Sequence, residues 1–279
     1  MPSAGSGFAK TTQGGTRRFG HLALGLAASL LLLSCGNASG IDKSQQRRAM
    51  ALWEERCKTS GEFIHQTVTG VEGIALLKVR SSTNHGDQFR LDDPYGHDSM
   101  NEQYLLNFLR GFYHQDGAAS PRGFAPRTGY VFVEAHDPKD GRLYRYTGRF
   151  EEPWLTNKSY LKGYIRFVLD KAPIEAFTAR YGVSFDDIST REERELWIAG
   201  SSLKVIDLKT QALVAERVGY MVDWAQGSRA GHRSPWLFAA DNACPDFNRN
   251  NLRPVPGRGA SAQLGQTLDF VEKALKPKS

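Results

Sequence analysis

The sequence lacks the short motifs that mark common catalytic and nucleotide-binding sites. It has no H-E-x-x-H, C-x-x-C, G-x-S-x-G, phosphate-binding loop or G-x-G-x-x-G. An S-x-x-K occurs at 201–204, where the sequence predicts a turn-to-strand junction; in a strand, positions i and i+3 face opposite sides. The accompanying K-T-G is missing as well, because Gln211 follows Lys209 and Thr210. The sequence therefore predicts neither a nucleophile–base pair nor a cofactor.

Long apolar runs are equally scarce. Only residues 22–33 form one, and the mean hydropathy is −0.45, which excludes a channel or transporter with several spans. Aromatic residues reach 11% of the 279 positions, enough to build a core and too many for an intrinsically disordered chain. The length suits one large domain or two small ones.

The apolar run has the features of a secretory signal. Residues 22–33 carry no charge, and Arg17 and Arg18 precede them. Twelve residues are too few to cross a bilayer, whereas a basic flank followed by a short apolar stretch and a small residue is typical of an export signal. The sequence therefore predicts that the protein is exported.

The end of this run resembles a bacterial lipobox. Leu32, Leu33, Ser34 and Cys35 are similar to the motif in which the cysteine of a lipoprotein receives diacylglycerol and a fatty acid such as palmitate. The resemblance covers residues 1–35 only and implies that 1–34 are removed. It also implies a lipid anchor in the cell envelope, and Gly36 at the next position favours the periplasmic face of the outer membrane.

The remaining chain is predicted to be a short tether, 35–43, followed by a single α+β domain, 44–279. We expect a mainly antiparallel sheet with an N-terminal and a C-terminal helix packed on it, because no repeat or α/β alternation is visible. Predicted helices cover 44–58, 103–113 and 264–275. Predicted strands cover 62–68 and 74–80, which read as a hairpin, and then 130–135, 142–150, 163–169, 195–198, 203–208 and 213–222.

Aromatic and basic residues alternate at 142–146, a pattern that could stack bases or sugars. In a strand, however, Tyr144 and Tyr146 share one face, as in any half-buried strand. Lys10, Arg17 and Arg18 contribute half of the net charge of +6 and leave with the signal. The remaining basicity does not indicate nucleic-acid binding.

If the lipobox resemblance holds, the three cysteines predict one disulfide. If lipid occupies Cys35, Cys57 and Cys244 remain as an even pair in an oxidising compartment. The alternative is two buried free thiols.

Residues 84–98 hold the densest set of possible metal ligands: His85, Asp87, Asp92, Asp93, His97 and Asp98. Imidazole with carboxylates suits zinc, and carboxylates with carbonyls suit calcium. The spacing matches neither kind of site, and Asp-Asp-Pro-Tyr-Gly at 92–96 is ordinary turn chemistry. We expect a solvated loop and no stoichiometric metal.

Together these features predict a lipid-anchored protein of the cell envelope that binds a partner without catalysis. The membrane is one partner through the lipid, and an envelope protein or a glycan is a candidate for the other. The alternative is a metal-assisted hydrolase or metal-binding protein that uses the 84–98 loop.

Overall fold

A mixed, open sheet of nine strands forms the centre of the fold. The computed structural model describes residues 42–79, 101–110, 129–247 and 258–278. Within them the helices are α1 Lys43–Cys57, α2 Asn101–Arg110, α3 Arg191–Glu195, α4 Pro235–Ala239 and α5 Arg258–Ala274. The strands are β1 Gly61–Ile64, β2 Val68–Val71, β3 Gly73–Leu76, β4 Phe132–His136, β5 Leu143–Glu151, β6 Arg166–Pro173, β7 Tyr181–Asp187, β8 Ile198–Asp207, β9 Ala212–Val222, β10 Ala243–Cys244 and β11 Leu275–Pro277.

The strand order confirms the predicted α+β class with a mainly antiparallel sheet. The order is β1-β9-β8-β7-β3-β4-β5-β6, with β10 beside β9. β3 is parallel to both of its neighbours, β4 and β7, and every other pair in this sheet is antiparallel. β2 and β11 form a separate parallel pair. Residues Ile41–Ser279 make one compact unit.

The predicted hairpin of 62–68 and 74–80 is wrong. β1 pairs with β9 at one edge of the sheet, whereas β3 lies inside it between β7 and β4. All four residues of β3 are buried, and a short strand that is buried throughout needs neighbours on both sides. α2 lies on the connection from β3 to parallel β4, so one βαβ crossover is present that the sequence pattern did not indicate.

Other predicted boundaries also need correction. Residue 195 belongs to α3, which begins with a capping box between Thr190 and Glu193, and the strand begins only at Ile198. The N-cap of α1 is Asp42, whose carboxylate accepts the Ser44 N–H at 2.8 Å. α5 extends over 258–274, and β7 was not predicted at all.

The terminal helices of the described chain contribute to the buried core. Ala49 of α1 packs with Ile198, Tyr220 and Val222 of β8 and β9. Leu268, Phe270, Val271 and Ala274 of α5 belong to the largest buried cluster, together with side chains of the sheet. None of the described helices is long and apolar enough to cross a membrane.

The β5–β6 hairpin projects beyond the rest of the sheet. β4 begins at Phe132, which is opposite Thr147, so residues 148–151 of β5 have β6 as their neighbour and no longer meet β4. The hairpin turn therefore lies past the edge of β4. α1 begins at the other end of the strands, because Gln46 of its first turn bonds the carbonyl of Trp224, just after β9 ends.

Candidate functional site

The strongest candidate surface is the connection between β5 and β6, residues 153–165, which we call the hairpin tip. Ten large hydrophobic side chains are exposed in the described part of the chain, and five lie between residues 150 and 165: Phe150, Leu155, Tyr160, Leu161 and Ile165. Leu161 is 81% exposed and Leu155 is 64% exposed. Apolar groups concentrated in this way mark interaction surfaces, whereas scattered ones do not.

Local hydrogen bonds give the hairpin tip a defined shape. Pro153 is buried and is the first residue of a 3-10 turn. Its backbone carbonyl accepts a hydrogen bond from the Asn157 N–H at 2.8 Å. Gly163 has φ of +82°, a conformation that favours glycine, and its N–H donates to the Glu152 carboxylate at 2.6 Å. These hydrogen bonds close the tip, so its side chains project from a preformed turn.

Positive charge accompanies the exposed apolar groups. Lys158 Nζ lies 3.4 Å from the Trp154 ring centroid, and Lys162 Nζ lies 5.1 Å from it. The sequence has no Asp or Glu between 153 and 165, and among the described residues neither lysine forms an ion pair. The hairpin tip therefore carries two ammonium groups with no carboxylate of its own.

The acidic residues next to the tip are already engaged. Glu151 accepts from Arg166, and from Arg149 at 2.9 Å. These hydrogen bonds hold the pKa of Glu151 below its usual range. The Glu152 carboxylate accepts from the Gly163 N–H, and within the described residues neither acid forms an ion pair with the lysines of the hairpin tip. The site offers aliphatic groups, aromatic rings and ammonium groups, which is the chemistry of binding.

The predicted disulfide partners lie together. The Sγ atoms of Cys57 and Cys244 are 2.01 Å apart and their Cα atoms 5.6 Å apart. This pair links the end of α1 to β10. Cys35 lies outside the described residues, and so do the candidate metal ligands His85, Asp87, Asp92, Asp93, His97 and Asp98. The described ranges themselves contain no group of three or more His, Cys, Asp or Glu side chains able to hold a metal ion.

The S-x-x-K at 201–204 lies in the middle of β8 and not at a turn. Ser202 donates from its hydroxyl to Glu216 at 2.5 Å, and Lys204 binds Asp186 at 3.4 Å. Ser201 is buried on the opposite side of the strand from Lys204. Lys204 therefore cannot take a proton from Ser201.

The alternating residues at 142–146 form a half-buried strand, as their spacing predicts. Tyr144 and Tyr146 are both buried, and their hydroxyls donate to Asp140 at 2.8 Å and to Asp137 at 3.2 Å. Burial, reinforced by the nearby Asp137 carboxylate, raises the pKa of Tyr146. Both rings are used within the core, so they do not offer a stacking platform.

Glu134 is a fully buried carboxylate with several hydrogen-bond donors around it. It accepts from the Thr178 N–H at 2.7 Å, the Ala179 N–H at 2.9 Å and Arg145 at 2.9 Å. Burial alone would raise its pKa, but the hydrogen bonds from Thr178, Ala179 and Arg145 outweigh burial and hold the pKa below the usual range. A carboxylate stabilised in this way supports the fold and is a poor general base.

Sequence patterns alone did not predict the hairpin tip, although residues 153–165 have a recognisable composition. Three aromatic residues, three aliphatic residues and two lysines stand there without an acid, between two strands. What the sequence does not reveal is that the hairpin extends past β4 and leaves these groups exposed. Comparison of the chain with protein-family models, curated proteins and solved structures gives no match.

Proposed function

We propose that the protein is a lipoprotein of the bacterial cell envelope, anchored through Cys35, whose α+β domain acts by binding a partner at the hairpin tip. The observation that carries the binding role is the concentration of exposed apolar and cationic side chains on a structured turn. A binding surface of this kind needs no nucleophile or acid–base pair.

The lipid anchor is supported by two features of the cysteines. The residues before Cys35 resemble a lipobox that follows an export signal. Cys57 and Cys244 are at disulfide distance from each other, so Cys35 is the cysteine left for a lipid. An acylated cysteine with two or more chains gives a stable membrane attachment.

The buried charges of the described residues support binding over catalysis. Glu134 has Arg145 and two backbone donors, and Asp223 has Arg233 at 3.1 Å together with the Gly227 N–H at 2.9 Å. Each of these carboxylates holds together neighbouring segments of the fold. Their hydrogen-bonding capacity is used within the protein.

The Cys35→Ala variant tests the anchor. We expect it to lose metabolic labelling by a fatty acid and to move to the soluble fraction, because the modified thiol is gone. Cys57→Ala is the matched control, since it also removes a cysteine and should keep the label. Labelling of Cys35→Ala at the level of the unchanged protein would contradict the proposal.

A further inference from the structure

We propose that the hairpin tip inserts into the headgroup region of an anionic phospholipid bilayer, as a second membrane contact beside the lipid at Cys35. The inference rests on the proposed envelope location, which places the domain next to a membrane. It names the partner of the surface described above.

The most exposed apolar groups of the tip are aliphatic. Leu155, Leu161 and Ile165 are exposed, whereas one face of the Trp154 ring is covered by Lys158. Tyr160 and Tyr164 stack on each other, with ring centroids 6.3 Å apart and planes inclined by 3°. A glycan is recognised by open, flat aromatic faces, but protruding leucines favour the apolar boundary of a bilayer.

The charges of the tip complement anionic headgroups. Lys158 and Lys162 have no acid partner among the described residues, and their long stems allow the ammonium groups to reach the headgroups while the leucines go deeper. Trp and Tyr, the aromatic residues of this segment, are enriched at membrane–water interfaces. Apolar, aromatic and basic groups thus occur together as in membrane-surface segments.

The backbone of the hairpin also permits insertion. Residues 148–151 pair fully with β6 up to the tip, and the tip is closed by its own hydrogen bonds.

A fluorophore at position 161 tests the inference. The Leu161→Cys variant, purified with its lipid, would be labelled with an environment-sensitive maleimide dye and placed in vesicles of phosphatidylcholine with or without phosphatidylglycerol. In the anionic vesicles we expect a blue-shifted emission and quenching by brominated lipid. The same dye on Leu213→Cys, at an exposed site of β9 five strands away from β5, should remain accessible to aqueous iodide.

Charge variants test whether insertion depends on the two lysines of the tip or on the net charge of the protein. Each lysine near an anionic surface increases the membrane partition coefficient about fivefold. The double variant Lys158→Gln, Lys162→Gln should therefore lower insertion of the dye at position 161 about 30-fold. Lys209→Gln with Lys276→Gln removes the same charge from exposed positions outside the tip and should leave insertion unchanged. Arginine at 158 and 162 should restore it.

Two results would overturn the inference. The dye at position 161 could stay accessible to iodide in anionic vesicles that hold the lipidated protein, in which case the tip does not insert although the anchor does. Alternatively, cell-wall glycan could retain the protein in a manner that depends on Leu161 and Lys158, and the partner would then be a glycan. Failure of the anchor itself would be seen separately, as fatty-acid labelling that does not require Cys35.

Discussion

At the scale of single residues, the domain places charges in its interior and pairs several of them with groups that are distant in sequence. Glu134 meets Thr178 and Ala179 across 44 and 45 positions. Asp137 accepts from Lys171 at 2.6 Å across 34 positions, and this bond helps to hold the pKa of Asp137 below its usual range. A buried ion pair contributes less than its Coulomb energy, but loss of one partner leaves the other uncompensated.

The Glu134→Gln variant tests this arrangement. We expect the free energy of unfolding to fall by about 3 kcal/mol, because an amide NH₂ would face the donors that now bind a carboxylate oxygen. Urea denaturation at neutral pH measures the difference. Glu72→Gln is the control: Glu72 is exposed and pairs with Lys278 at the surface, so its loss should cost less than about 1 kcal/mol.

The same variant has a defined pH dependence. The pKa of Glu134 is lower in the folded protein, so its stabilisation is complete above the pKa of the unfolded chain and is lost as the pH falls through the folded value. The difference between wild type and Glu134→Gln should therefore be constant near neutrality and shrink below about pH 4. A difference that grows in acid would contradict this role.

At the scale of elements, the sequence predicted the long strands β5 and β9 and the helices α1, α2 and α5. Their apolar periodicity extends over enough residues to identify them. The sequence pattern divided β8 into two strands, 195–198 and 203–208. It placed a strand at 74–80, which overlaps β3, but paired that strand wrongly, and it did not predict β7. β3 has four residues, and its two parallel pairings connect segments far apart in the chain. In β7, Gly182 and the pair Asp186 and Asp187 resemble a turn, but the strand is held by β3 and β8, which local sequence does not show.

The projecting part of the β5–β6 hairpin should open more easily than the central strands. Residues 148–151 pair with one strand only, whereas residues 201–205 of β8 lie between β7 and β9. Native-state hydrogen exchange should show local opening of 148–151 that is nearly independent of urea and needs less free energy than exchange in β8. Equal urea dependence in both segments would contradict the difference.

At the scale of the whole molecule, the pair Cys57 and Cys244 connects the beginning of the domain to its last third. The two residues are 187 positions apart. Both of the elements they link already contact β9, since α1 packs on it through Ala49 and β10 pairs with it. The bridge therefore secures the contacts that α1 and β10 both make with β9.

Loss of this bridge should lower the free energy of unfolding, because the unfolded chain gains conformational freedom. Closing a loop of this length restricts the unfolded ensemble by about 5 kcal/mol in the chain-entropy estimate. We expect Cys57→Ala, Cys244→Ala and the double variant to lose similar amounts, up to this value, because each abolishes the same link. Urea denaturation of the lipidated protein measures the loss. Reduction of the wild type should reproduce it and leave the double variant unaffected. Two thiols that react with maleimide in the denatured, unreduced wild type would show that the cysteines are free.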